Sequence, residues 1–115
     1  MTLEDLAVEL RRFAADRDWE RFHTPKSLAI SLAVEVGELL ELVQWGSDNE
    51  IAARLGSADG RTAMAEELAD VLIYLVRLAD VLDIDLLEAG SAKIKANAER
   101  YPAAEVRGSS AKRPR

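Results

Sequence analysis

Leu3, Leu6, Leu10 and Phe13 recur at three- and four-residue steps, with Glu4, Glu9, Arg11 and Arg12 between them. That is one apolar helical face. Thr2 and Asp5 have the spacing of a capping box, and a first helix is predicted over 3–17. The pattern breaks through 18–24. Thr24-Pro25 then sets an N-cap hydroxyl before a proline at the first helical position, and a second helix is predicted over 25–45. Leu28, Leu32, Val36, Leu39 and Val43 form its stripe, and Ile30, Val34 and Leu40 widen it over much of the circumference. Such a helix is central in a bundle or lies at a subunit interface. Gly37 weakens its interior, which points to close approach of another backbone or a ligand. Gly46-Ser-Asp-Asn49 ends the helix, 51–55 has room for one helical turn, and Gly56-Ser-Ala-Asp-Gly60 breaks the chain again. Met64, Leu68, Val71, Leu72, Leu75, Leu78, Ala79 and Leu82 carry a third helix over 61–82. Asp85 and Glu88 cap a fourth over 86–100, which Pro102 ends. No stretch alternates with the period of a strand. Four helices with short connections predict an all-α, four-helix antiparallel bundle. It is expected as one domain over 1–101, followed by a disordered basic tail over 102–115.

Carboxylates interrupt two of these stripes. Glu35 and Glu38 lie on the second helix, Glu67 and Asp70 on the third. Each pair is spaced i, i+3, so its acids lie one turn apart on one face. The i+4 positions hold Leu39, Leu42, Val71 and Tyr74, so no local cation neutralises them. Single acid pairs of this kind are ordinary solvated surface. Two pairs on helices expected to face one another match the way bundles bind hard cations.

The chain has no cysteine and one histidine, His23. That excludes thiolate sites and, within one chain, a multi-histidine zinc site. It leaves Mg²⁺ as the expected ion, with Mn²⁺ as a substitute. There is no Glu-x-x-His for a di-iron centre and no P-loop, so phosphate would be held by metal and scattered Lys and Arg. The net charge of −6 is concentrated in 1–101, because Arg107, Lys112, Arg113 and Arg115 make the tail basic. A body that acidic is a poor partner for nucleic acid. No apolar run approaches the roughly 18 residues of a membrane span, and the acidic first residues are unlike a signal peptide. A cytoplasmic protein is expected. Trp19, in an irregular segment, and Trp45, at a helix end, have positions from which flat rings can meet a base. Lys93 and Asn97 share a face of the fourth helix at i, i+4, with Arg100 and Tyr101 one turn later. Core packing, surface solvation and ligand contact all stay open for Trp19, Trp45, His23, Tyr74, Lys93 and Asn97.

Longer strings narrow the reading. Asp18-Trp-Glu-Arg-Phe-His-Thr-Pro25, Glu35-Val-Gly-Glu-Leu39, Gln44-Trp45, Glu67-Leu-Ala-Asp-Val-Leu-Ile-Tyr-Leu75 and Lys93-x3-Asn97-x3-Tyr101-Pro102 occur in that order. They resemble the MazG-type all-α nucleoside triphosphate pyrophosphohydrolases, and within them the dCTP pyrophosphatase branch. The resemblance implies cleavage between the α and β phosphates, giving a monophosphate and pyrophosphate. It implies Mg²⁺ on Glu35, Glu38, Glu67 and Asp70, with Glu38 and Glu67 as the catalytic acids. It places Trp19 and Trp45 at the base, and His23, Tyr74, Lys93 and Asn97 among the substrate contacts. It further implies a homo-oligomer, a tetramer built as a pair of dimers, with a dimer as the alternative. Two other readings stay open: action on another nucleotide or phosphoribosyl-ATP within the same superfamily, and a non-catalytic helical interaction module.

Overall fold

In the computed structural model, which describes residues 1–113, every regular element is a helix. The elements are α1 (Leu3–Asp16), a 3₁₀ turn (Glu20–Phe22), α2 (Pro25–Glu41), α3 (Asp48–Gly56), α4 (Ala58–Val81), α5 (Leu86–Arg100) and α6 (Ala103–Val106). The all-α prediction holds, and the four expected helices correspond to α1, α2, α4 and α5. The chain divides into two compact units, Met1–Asp83 and Ile84–Arg115.

In the first unit α4 packs against α2, α3 and α1. Small side chains allow this: Ala7 and Ala14 of α1 and Ala79 of α4 are buried, together with Leu28 and Val76. Thr2 and Asp5 close the predicted capping box at α1, and Thr24 caps α2 by accepting from Ser27 N–H. The widened stripe of α2 is not absorbed by this core. Ile30 and Val34 remain 55% and 54% exposed, and Leu68 of α4 is 52% exposed.

Three boundaries differ from expectation. The second helix stops at Glu41 rather than 45. Leu42 and Val43 N–H turn to the carbonyls of Leu39 (3.1 Å) and Leu40 (3.0 Å), tightening the last turn. Gly46, at φ +118, then reverses the chain, and Trp45 therefore stands outside the helix. The segment around 51–55 is not a single turn but the nine-residue α3, started by a Ser47–Glu50 capping box. The next helix begins at Ala58 rather than 61, because Ser57 serves both neighbours. Its Oγ donates to Arg54 O of α3 (2.7 Å) and accepts from Gly60 N of α4 (3.1 Å). Gly60, which looks like a breaker, lies inside α4. A Cβ there would come 1.9 Å from Arg54 O, so only glycine admits this junction. At Gly37, nothing within the chain lies within 4 Å of where a Cβ would be.

Arg54 ties α3 to the end of α2. Its Nη1 donates to Leu42 O (3.2 Å) and its Nη2 to Trp45 O (3.4 Å), covering carbonyls that the helix end leaves free.

In the second unit Asp85 caps α5 by accepting from Glu88 N (3.0 Å). Leu87 and Ile94 of α5 are 67% and 71% exposed. The described part of the tail carries regular structure. Beyond Pro102 it forms α6. Arg113 then returns to donate from N to Tyr101 Oη (2.9 Å) and from Nη1 to Arg100 O (3.1 Å) and Glu105 Oε2 (2.9 Å). The charge that made the tail look solvated thus closes it on itself. The expectation for Pro114 and Arg115 falls outside the described residues. Among the described residues, no helix is long and apolar enough to cross a membrane.

Candidate metal centre

α2 and α4 run antiparallel. His23, just before α2, meets Arg77 late in α4, while Glu35 and Glu38 meet Glu67 and Asp70 earlier in α4. The i, i+3 spacing turns each acid pair to the helix–helix seam. Each of the four offers a carboxylate oxygen, and these oxygens all lie within 4.8 Å of one another. Glu35 and Glu67 are half-buried and Glu38 is exposed.

The electrostatics follow from that convergence. Burial pushes the Glu35 carboxyl above its ordinary value; the close approach of the Glu38 carboxylate and the charges of Glu38, Asp70 and Glu67 act in the same direction. Burial likewise raises Glu67, followed by the charges of Glu38 and Asp70, the close approach of the Glu38 carboxylate, and the charge of Glu41. Glu41 was missed by the sequence reading. Its signal was the register Glu35-x2-Glu38-x2-Glu41, which repeats the first spacing once more.

Glu35 Oε2 and Glu67 Oε2 are buried with no hydrogen-bond partner among the described residues. The ion pairs found among those residues include none of the four acids. A buried carboxylate oxygen left without a partner is unfavourable, so the cluster has the chemistry of an incomplete coordination shell. The donors are all oxygen, which fits a hard divalent cation and disfavours zinc or copper.

The remaining predicted residues are placed as follows. Tyr74 is half-buried, one turn beyond Asp70 on α4. Trp19 is 45% exposed, and its ring meets Phe13 edge-on at 5.7 Å and 68°. Trp45 is 74% exposed. His23 is half-buried and accepts at Nδ1 from Arg77 Nε (3.0 Å). Burial, followed by the Arg77 charge, lowers its pKa below the ordinary value against a smaller opposing effect of Glu20. Lys93 and Asn97 lie on α5 in the second unit. Lys93 is exposed, and Asn97 Oδ1 accepts from Arg100 Nη2 (3.4 Å). The structure therefore brings the four acids together. Sequence reading overlooked Arg77, buried at 7% exposure. Its signal was an arginine inside an apolar run with Asp80 at i+3.

A family model described as the MazG-like family matches residues 30–113. dCTP pyrophosphatase 1 of Mus musculus is 49% identical over 111 residues, covering 96% of this chain and 65% of that protein. dCTP pyrophosphatase 1 of Homo sapiens is 50% identical over 111 residues, with the same 96% and 65% coverage. The chain thus spans just under two thirds of the length of these relatives. A crystal structure of a pyrophosphatase from Archaeoglobus fulgidus matches with a TM-score of 0.81 and 44% identity, over 86% of this chain and 91% of that one.

Proposed function

Because the chain belongs to the MazG-like family, we propose that it is a Mg²⁺-dependent pyrophosphohydrolase. Its substrate is dCTP or a modified dCTP, its products are dCMP and pyrophosphate, and its role is to keep the cytoplasmic nucleotide pool clean. The observation that carries this reading is the pair of buried, unpartnered oxygens of Glu35 and Glu67, which converge with Glu38 and Asp70 at the α2–α4 seam. The names and identities of the relatives support the substrate class.

Glu35, Glu38, Glu67 and Asp70 would hold Mg²⁺, with Mn²⁺ as a substitute. The bound ion supplies charge neutralisation at the phosphates and acidifies water at the site. Glu38 is exposed and offers an oxygen within 4.8 Å of those of both Glu35 and Glu67. It is placed in this reading to orient the attacking water and accept its proton, with Glu67 assisting. One water adds across the α–β anhydride and pyrophosphate leaves, so dCTP and water balance dCMP and pyrophosphate. Trp19 and Trp45 supply the stacking planes for the base. Tyr74, one turn from Asp70, supplies a phenol next to the acids. Lys93 and Asn97 offer a cation and an amide for phosphate and sugar, a role that rests on the family resemblance.

The same reading includes a homo-oligomer, a tetramer in preference to a dimer. The exposed Ile30, Val34, Leu68 and Leu72 support it, because a chain of this size gains the burial it lacks by association. Sedimentation velocity reads the subunit number.

The deciding experiment offers dCTP, dUTP and dATP to the protein with Mg²⁺ and with EDTA, beside Glu67→Ala, and separates the products. Metal-dependent dCMP plus pyrophosphate from dCTP supports the assignment. Diphosphate plus phosphate, or hydrolysis that ignores the base, overturns it.

A further inference from the structure

Trp19 and His23 are the two ends of one tight turn. Phe22 N–H donates to Trp19 O (2.9 Å) and His23 N–H to Glu20 O (3.1 Å). At its near end the turn hangs from α1. Trp19 N–H donates to Ala14 O (2.9 Å), and Asp18 bends the chain there at φ +55. The Arg21–Asp18 ion pair (3.3 Å) stays within the same segment. At its far end the turn is tied to α4. Among the described residues, the side-chain hydrogen bond that makes this tie is Arg77 Nε to His23 Nδ1, at 3.0 Å.

The tie is rigid on one side and conditional on the other. Arg77 is buried. Its Nη1 donates to Asp80 Oδ2 (3.3 Å), and Arg11 of α1 holds both Asp80 oxygens, Nε to Oδ2 at 2.8 Å and Nη2 to Oδ1 at 2.7 Å. A polar chain thus runs from α1 through α4 to the turn. A guanidinium stays protonated and only donates, so the ring must offer a lone pair at Nδ1, and an imidazolium has none. Proton uptake by His23 therefore replaces a hydrogen bond with two cations in contact. The charges that act on the ring are Arg77 from α4 and Glu20 from its own turn, with Asp80 and Arg11 behind Arg77. Burial and Arg77 outweigh Glu20 and favour the neutral ring. The tie is thus complete above the ordinary histidine value of 6.5 and is lost as pH falls through the lowered folded value.

We propose that Arg77 is a positioning residue for base stacking: through His23 it latches the Trp19 turn to α4, and a proton on the ring opens the latch. Arg77 acts through the turn and never touches substrate. Its effect on KM rests on the nucleotide reading above, whereas the latch itself is read without substrate.

Trp45→Phe leaves Trp19 as the one tryptophan, and acrylamide quenching then reports the exposure of that ring. The ring is 45% exposed, so release of the turn on acidification is expected to about double the quenching constant. The midpoint is expected at the titration of His23, followed by ¹H–¹⁵N spectra of the chain's single histidine. With Arg77→Met added, a change that leaves Asp80 its Arg11 partner, the constant is expected to be high at neutral and acidic pH alike. In the chain with both tryptophans, Arg77→Met is expected to raise KM for dCTP about fivefold at neutral pH, within the worth of a stacked base, with kcat within about twofold. It is also expected to flatten the rise in KM that wild type shows on acidification. Titration of the acid cluster is common to both proteins and cancels in the comparison. Quenching indifferent to the His23 titration in Trp45→Phe overturns the latch, whether or not Arg77→Met folds. Altered quenching with unchanged KM, in an enzyme active on dCTP, overturns the positioning role. A protein inactive on dCTP overturns the nucleotide reading instead, and quenching still decides the latch.

Discussion

Arg11 and Asp80 stand 69 residues apart in sequence and meet through two parallel hydrogen bonds, at 2.8 Å and 2.7 Å. The contact fastens α1 to α4. It also holds the carboxylate that keeps the buried Arg77 in place. Asp80 is accordingly stabilised in its charged form: the Arg11 hydrogen bond, with the Arg11 and Arg77 charges, outweighs burial and lowers its pKa.

Asp80→Asn is therefore expected to destabilise the fold by about 2 kcal/mol, because it leaves Arg77 without its counter-charge. The urea midpoint should fall at unchanged m-value. The wild-type contribution of Asp80 is present above the ordinary carboxyl pKa of 3.8 and is lost as pH falls through the lowered folded value. The stability gap between wild type and variant should thus close only in strong acid. A gap that does not vary with pH argues against the ion pair as its source.

Metal and protons should compete for the acid cluster. Glu35 and Glu67 have raised pKa values in the folded chain, so their favourable contribution is present in full below 4.5 and is lost as pH rises through the folded values. In EDTA at neutral pH, Glu67→Gln should melt above wild type, and the difference should shrink as pH is lowered toward 4.5. Mg²⁺ should reverse the order. At 100 times its Kd the ion adds about 2.7 kcal/mol to wild type, while the variant responds weakly. Differential scanning calorimetry across pH, with and without Mg²⁺, reads both trends.

The two tryptophans should separate by what else they hold. Trp45 is 74% exposed, and Trp45→Ala should leave the melting temperature within a degree or two. Loss of a stacked base costs about 1–3 kcal/mol, so KM for dCTP should rise at least about fivefold. Trp19 also packs edge-on against Phe13, and Trp19→Ala should lose stability as well as affinity. Equal KM in Trp45→Ala and wild type would remove Trp45 from the binding site.

Gly60 and Gly37 should respond oppositely to the same change. Gly60→Ala drives a Cβ against Arg54 O, and a cost of about 1–3 kcal/mol is expected for such overpacking. Gly37→Ala meets open space within the chain and should gain about 1 kcal/mol from improved helix propensity. Chemical denaturation of the two variants measures the contrast.

Much of this was legible from local spacing. The capping pairs Thr2–Asp5 and Asp85–Glu88 placed the starts of α1 and α5, and the i, i+3 acids pointed to the cluster at the α2–α4 seam. The α3–α4 junction was not legible, because Gly56 and Gly60 read alike in sequence. Only the approach of Arg54 O shows that Gly60 belongs inside a helix. The polar chain through His23 and Arg77 was hidden for another reason. Its key contacts span 54 and 69 residues, and no local periodicity encodes them.

The empty side of Gly60 reaches farther than its own contact. Arg54 carries the carbonyl that Gly60 admits, and its guanidinium carries Leu42 and Trp45. Any side chain acquired at position 60 would move the rim on which Trp45 stands without changing a single residue of that rim. With Trp45 in the stacking role proposed for it, base selectivity would then drift in evolution through a helix junction that no ligand touches, and aligned pocket residues alone would give no sign of it.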